Sequence, residues 1–203
     1  MRAGDIAKTD QLIAEREKAL AGQWVPPPPD EEDQPAGQAG YFLQIGLPRF
    51  ADALDSVTEE SDRPILVADL SGKVQTYFEY RDCNMHCYAR PADIEPERLR
   101  KGLLGALRYG KPFVFDMMGM ELDEDAIREI FDAIQPKLFD KILSKKIMRE
   151  EHYLALVSEE DDEQYNKVFW NEATTAHYSF VLRSKRPLPP EWCAEGFFII
   201  RVA

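Results

Sequence analysis

The stretch VADLSGKV, residues 67–74, carries a glycine–lysine pair, Gly72 and Lys73, and Asp116 closes the apolar run Phe113-Val114-Phe115. Glycine and lysine together can cradle phosphate, and a carboxylate delivered by a buried strand can hold Mg²⁺. A working phosphate loop also needs an earlier glycine and a closing serine or threonine, because backbone N–H groups must wrap the phosphates while the hydroxyl meets the metal. Val67 and Val74 stand in those places, and Asp69 adds negative charge where polyphosphate would lie. Met117 follows Asp116, so no adjacent acid polarises an attacking water. Gly72, Lys73 and Asp116 are therefore vestigial candidates without a catalytic set, and Asp116 reads as the end of a buried strand or the cap of the next helix.

Cys83, His86 and Cys87 form a C-x-x-H-C cluster. Structural zinc takes four ligands, commonly as two separated pairs, whereas His152, His177 and Cys193 stand singly. Core thiols and a partly exposed imidazole are expected here, with no metal. A cysteine nucleophile would need an orienting partner that the flanking residues do not supply. The acidic runs at 30–33 and 159–163 lack the alternating ligands and central glycine of a calcium loop and read as solvated loops. The basic stretch SKKIMR, 144–149, reads as a wet helix end that could also meet an acidic partner.

A formal net charge of −12 argues against nucleic-acid and anionic-membrane surfaces, which attract basic patches, and favours basic partner surfaces. No window approaches the roughly 18 apolar residues of a membrane span, and acids stand where a signal peptide has its apolar core. Three cysteines suit a reducing compartment. A soluble, intracellular protein is the expectation.

These residues need positioning elements. Residues 1–40 read as a short charged helix at 9–21 followed by an arm, where Trp24 and Val25 precede Pro26, Pro27, Pro28 and Pro29 and then four acids. The arm reads either as an extended spacer or as a segment whose Trp24, Val25 and prolines lie along a partner's groove. Residues 41–203 read as one α/β domain. The apolar run at 65–70 suits a strand covered on both faces, and further strands are expected at NMHCYA, 113–117, 152–157, HYSFVLRS and FFIIRV. Helices are expected at 71–82, at 95–110 with Pro96 in the first turn and Gly110 at the end, at 123–134, and after Pro136. Strands alternating with helices imply a mainly parallel central sheet flanked by helices.

The order of RPILVADLSGKVQTYFEYRD, RLRKGLLGALRYGKPFVFDMM, LDEDAIREIFDAIQPKLFDKIL and HYSFVLRSKRPLPP…FFIIRVA resembles a degenerate AAA module of the dynein heavy-chain type. It is also similar to the block found at the C-terminus of IQ-motif and ankyrin-repeat proteins. The resemblance covers about 64–203 and puts 68–71 at the first turn, Asp116 at the acid after the third strand, and 183–187 at the sensor-like turn. The helical lid, the nucleotide-contacting arginines and a working phosphate loop are missing. The resemblance thus implies a P-loop-derived, AAA-like fold without catalysis or cofactor. It further implies a structural adaptor of the ciliary or flagellar axoneme that joins other axonemal proteins in a large complex, with Trp24, Val25 and the prolines in contact, and Trp170, Trp192 or 144–149 adding to them. The competing reading is a small nucleotide-binding phosphotransferase or NTPase using Gly72, Lys73 and Asp116; a thiol enzyme using Cys83 or Cys87 is a third.

Overall fold

A computed structural model describes residues 41–203; the helix expected at 9–21 and the contact candidates Trp24, Val25, Pro26, Pro27, Pro28 and Pro29 lie outside the described residues. Within the described residues, strands β1 (Phe42–Ile45), β2 (Ile65–Asp69), β3 (Asn84–Cys87), β4 (Pro112–Asp116), β5 (Ser179–Ser184) and β6 (Phe198–Val202) form one sheet in the order β1-β6-β2-β5-β4-β3. Every pairing is parallel. β2 and β5 are buried at every position, as expected of strands covered on both faces.

Successive side chains of a strand point to opposite faces, and the two faces bury different residues. Ile65, Val67, Val114, Val181, Ile200 and Val202 pack with Phe50, Leu54, Val57, Val74 and Phe78 on one face. Their neighbours Leu66, Phe113, Phe115, Phe180, Leu182 and Ile199 pack into a larger aromatic cluster on the other. Helices α1 (Phe50–Glu60) and α2 (Val74–Tyr80) therefore cover the first face. Helices α3 (Pro96–Tyr109), α4 (Glu124–Asp132), α5 (Leu138–Leu143), α6 (Glu150–Tyr153), α7 (Glu172–Thr175) and α8 (Glu191–Gly196) belong to the second half of the layering, where Leu103, Ile127, Phe139, Tyr153 and Cys193 are buried. Crossovers that step one way along the sheet use the first face and those that return use the second, the outcome of a single crossover hand.

The expected helices are present because their ends are built for it. Pro96 opens α3 and Gly110 closes it in the left-handed region, φ 61°. Asp123 caps α4 by accepting the N–H groups of Asp125 and Ala126. Asp116 caps no helix; it ends β4.

Several expectations need correction. Residues 152–156 are helical, in α6 and a following 3₁₀ turn (Leu154–Leu156), and Val157 leaves it in extended backbone, because Tyr153 and Leu156 are buried at a spacing of three rather than two. β1, α1 and α8 were not foreseen: four residues of β1 are too few to show alternation, and α8 begins directly after a proline-rich turn. His86 is buried, not partly exposed. Its ring stacks on Phe113, Nδ1 donates to the Asp93 carbonyl at 3.1 Å, and burial lowers its pKa. In the acidic run at 159–163, Glu159, Glu160, Asp162 and Glu163 are exposed as expected of a solvated loop, but Asp161 tethers it: its side chain is only 2% exposed and accepts Nη1 and Nη2 of Arg100 at 2.6 and 2.7 Å. Trp170 stacks on Tyr153 at 4.1 Å and Trp192 packs against Phe197 and Phe139, so both have a packing role while part of each stays exposed. In the 144–149 stretch Ile147 is buried and Lys145 Nζ donates to the Ser61 carbonyl at 2.6 Å.

Two predictions follow from this packing. A Cβ on Gly102 would lie 2.1 Å from Nε2 of His86, whose ring cannot move aside. Gly102→Ala should cost about 1–3 kcal/mol in urea denaturation, and His86→Ala in the same chain should recover part of that loss. Arg100, above all, lowers the Asp161 carboxyl below its ordinary range. A depressed carboxyl stabilises the fold above its unfolded pKa of about 4 and loses that contribution as pH falls through the folded value. Ser158 donates its N–H to Asp161 at 2.7 Å, so its hydrogen-exchange protection should be full at neutral pH and fade in acid. Arg100→Gln should remove it at every pH.

Candidate functional site

In an open α/β sheet, ligands bind outside the carboxyl ends of the strands, where neighbouring strands send their connections to opposite faces. Here that point lies between β2, followed by α2 on the first face, and β5, followed by α8 on the second. The crevice is filled from within. Asp69 ends β2, Arg183 is the penultimate residue of β5 and Asp116 ends β4; all three follow the parity of Val67, Val181 and Val114 and so point to the first face. Asp116 and Arg183 are register partners.

Arg183 spans the two acids. Nη1 donates to both oxygens of Asp116 at 2.8 Å, while Nη2 and Nε donate to Oδ2 of Asp69 at 2.6 and 3.2 Å. The three side chains are 0–1% exposed. The acids are held in turn by their own loops. Asp69 accepts the Ser71 hydroxyl at 2.8 Å and the Val74 N–H at 3.2 Å, and Asp116 accepts the Met118 N–H at 2.8 Å. Met118 adopts φ 51°, a left-handed conformation that a non-glycine residue keeps only when its surroundings enforce it. Its carbonyl accepts the Lys185 N–H at 2.6 Å, which sews the loop after β4 to the loop after β5.

Gly72 has φ 68° and forms the turn into α2, where the Lys73 N–H bonds back to the Ser71 hydroxyl. The glycine thus satisfies a backbone turn, and Lys73 is exposed. The donors that would wrap a phosphate are engaged elsewhere: the first N–H of α2 and the Ser71 hydroxyl both serve the Asp69 carboxylate. A metal at Asp116 would have to displace Arg183 from both oxygens. A phosphate brought here would face two carboxylates against one guanidinium, a net repulsion.

Arg183 is the residue that sequence reasoning missed: it lay within the expected strand HYSFVLRS and, by the resemblance, at the sensor-like turn, with no part in the site. The signal was available in the parity of three strands, where apolar residues at alternate positions give way to Asp69, Arg183 and Asp116 at the same end.

The C-x-x-H-C cluster does not converge. Cys83 and Met85 face the first core and His86 faces the second, as strand alternation requires. Among the described residues no group of three or more His, Cys, Asp or Glu is arranged to hold a metal ion. Burial pushes the Cys83 thiol up to about 11 and the Cys193 thiol still higher, which leaves little thiolate at neutral pH. A cavity of about 320 Å³ beside Asp116, bounded by Phe78, Arg81, Cys83 and Arg90, lies at the lower end of the size range of ligand sites. Its arginines are already engaged, Arg81 with Asp55 and Tyr77, and Arg90 with Asp93 at 3.7 Å.

No family model and no solved structure matches this chain. Removing the cation at the crevice should leave two carboxylates buried together. Arg183→Met should therefore destabilise the fold by about 3–5 kcal/mol in urea titration. Arg183→Lys should recover only part of the loss, since an ammonium cannot fork between two acids.

Proposed function

We propose that this chain is a non-catalytic structural or adaptor protein of the ciliary or flagellar axoneme, built on a degenerate, P-loop-derived module of the AAA type related to dynein heavy chains. The observation that carries the non-catalytic part is the Arg183 clasp. The three positions that the resemblance aligns with the first turn, the acid after the third strand and the sensor-like turn supply Asp69, Asp116 and Arg183, and these bond to one another. A nucleotide-binding module keeps such polar groups for phosphate and Mg²⁺. Here they are engaged with one another, and the fold is left to work through its surfaces.

The axonemal setting rests on the resemblance to dynein-type modules, and fold likeness alone does not assign function. The net charge of −12 supports contacts with basic protein surfaces rather than nucleic acid. Other axonemal proteins are the proposed partners, with Trp24, Val25 and Pro26 to Pro29 among the contact residues.

Thermal-shift titration with Mg-ATP and Mg-GTP tests the non-catalytic reading. A binder at a hundredfold excess over its dissociation constant gains about 2.7 kcal/mol; the expectation here is no shift at millimolar nucleotide. A melting temperature that climbs with either nucleotide would overturn the reading. Crosslinking in isolated axonemes tests the setting, and the expected products join this chain to axonemal proteins.

A further inference from the structure

Among the described residues, the sheet has an open edge at β1. Ile199 N–H donates to the Tyr41 carbonyl and Ala203 N–H to that of Ile45, so the odd-numbered residues of β1 bond to β6. The N–H and C=O groups of Phe42 and Gln44 consequently face away from the sheet, the arrangement that accepts another strand. Alongside them lies a cavity of about 630 Å³ between β1 and α1. Tyr41, Leu43, Ile45, Val57 and Phe198 supply its apolar wall. Its charged lining is Asp52, Glu60 and Asp62 against Arg49. Asp52 and Glu60 are exposed and take part in no ion pair among the described residues. The other cations nearby are occupied: Arg63 lies 3.6 Å over the Tyr41 ring, and Lys145 bonds the Ser61 carbonyl.

We infer that β1 and this groove form a docking site for an extended, lysine- or arginine-bearing segment of a partner protein, which adds a strand beside β1. The inference deepens the adaptor reading and rests on it for the partner being a protein. Backbone groups of Phe42 and Gln44 supply the ladder, and alternate side chains of the incoming strand enter the groove under α1. Its basic residues meet Asp52 and Glu60 at the rim. Acid at the rim disfavours an acidic segment, which makes charge the selector and main-chain bonding the source of affinity.

The test uses the full chain and a synthetic peptide of about ten residues alternating valine with lysine, with a second peptide carrying glutamate for lysine. Hydrogen exchange should show Phe42 and Gln44 amides fast in the free protein and slowed about tenfold or more by the lysine peptide. The glutamate peptide should bind at least about tenfold more weakly, and the double substitution Asp52→Lys, Glu60→Lys should reverse that preference. Gln44→Pro removes only an outward-facing N–H, so it should fold normally and fail to bind. The inference is overturned if Phe42 and Gln44 are already protected in the free protein, because the chain's own residues 1–40 or a second copy would then cover the edge. It is equally overturned if the lysine peptide does not bind at millimolar concentration, or binds Gln44→Pro as well as the natural chain. None of these outcomes alters the response to Mg-nucleotide, so the docking site and the adaptor reading can fail separately.

Discussion

A guanidinium does not give up its proton in a protein, so a buried arginine can be tolerated only where carboxylates meet it at fixed points. Arg183 meets two, from strands on either side of its own. That requirement constrains β2, β5 and β4 together: a slip of one residue in any of them would turn its charged end to the opposite face and leave the others uncompensated. The clasp thus specifies register at the centre of the sheet, and the loops that follow are arranged around it. Ser71 and the first N–H of α2 serve Asp69, and the strained Met118 serves Asp116.

The same clasp bears on function because of where it lies. The crevice at the carboxyl ends of β2 and β5 is where an open sheet has unpaired donors and positive potential to offer an anion. In this chain those donors are spent on carboxylates. An arginine on one strand and acids on its neighbours fill the crevice with a hydrogen-bonded ionic cluster. At the far edge of the sheet β1 has no further strand partner among the described residues, and it offers both backbone hydrogen-bonding groups and a groove.

Much of the architecture was legible along the chain. The continuous apolar runs of β2 and β4, the leucine spacing of α3 with Pro96 and Gly110 at its ends, and the Asp123 cap are local signals, decided within a few residues. Local signals failed where they were short or ambiguous. β1 is too brief to show its period, residues 152–157 carry apolar residues that fit either a strand or a helix turn, and Asp161 looked solvated because its partner Arg100 is 61 residues away.

The sequence by itself determined the layering and the absence of a complete phosphate loop, since both depend on residue type at fixed spacing: apolar runs that must be buried on two faces, and Val67 and Val74 where glycine and a hydroxyl are needed. Only the tertiary structure decided what fills the crevice at the carboxyl ends of the strands. Asp69, Asp116 and Arg183 come from three distant segments, and nothing local says that they meet; the parallel order β2-β5-β4 brings them together, because strands separated along the chain become neighbours only when crossovers carry them across the sheet.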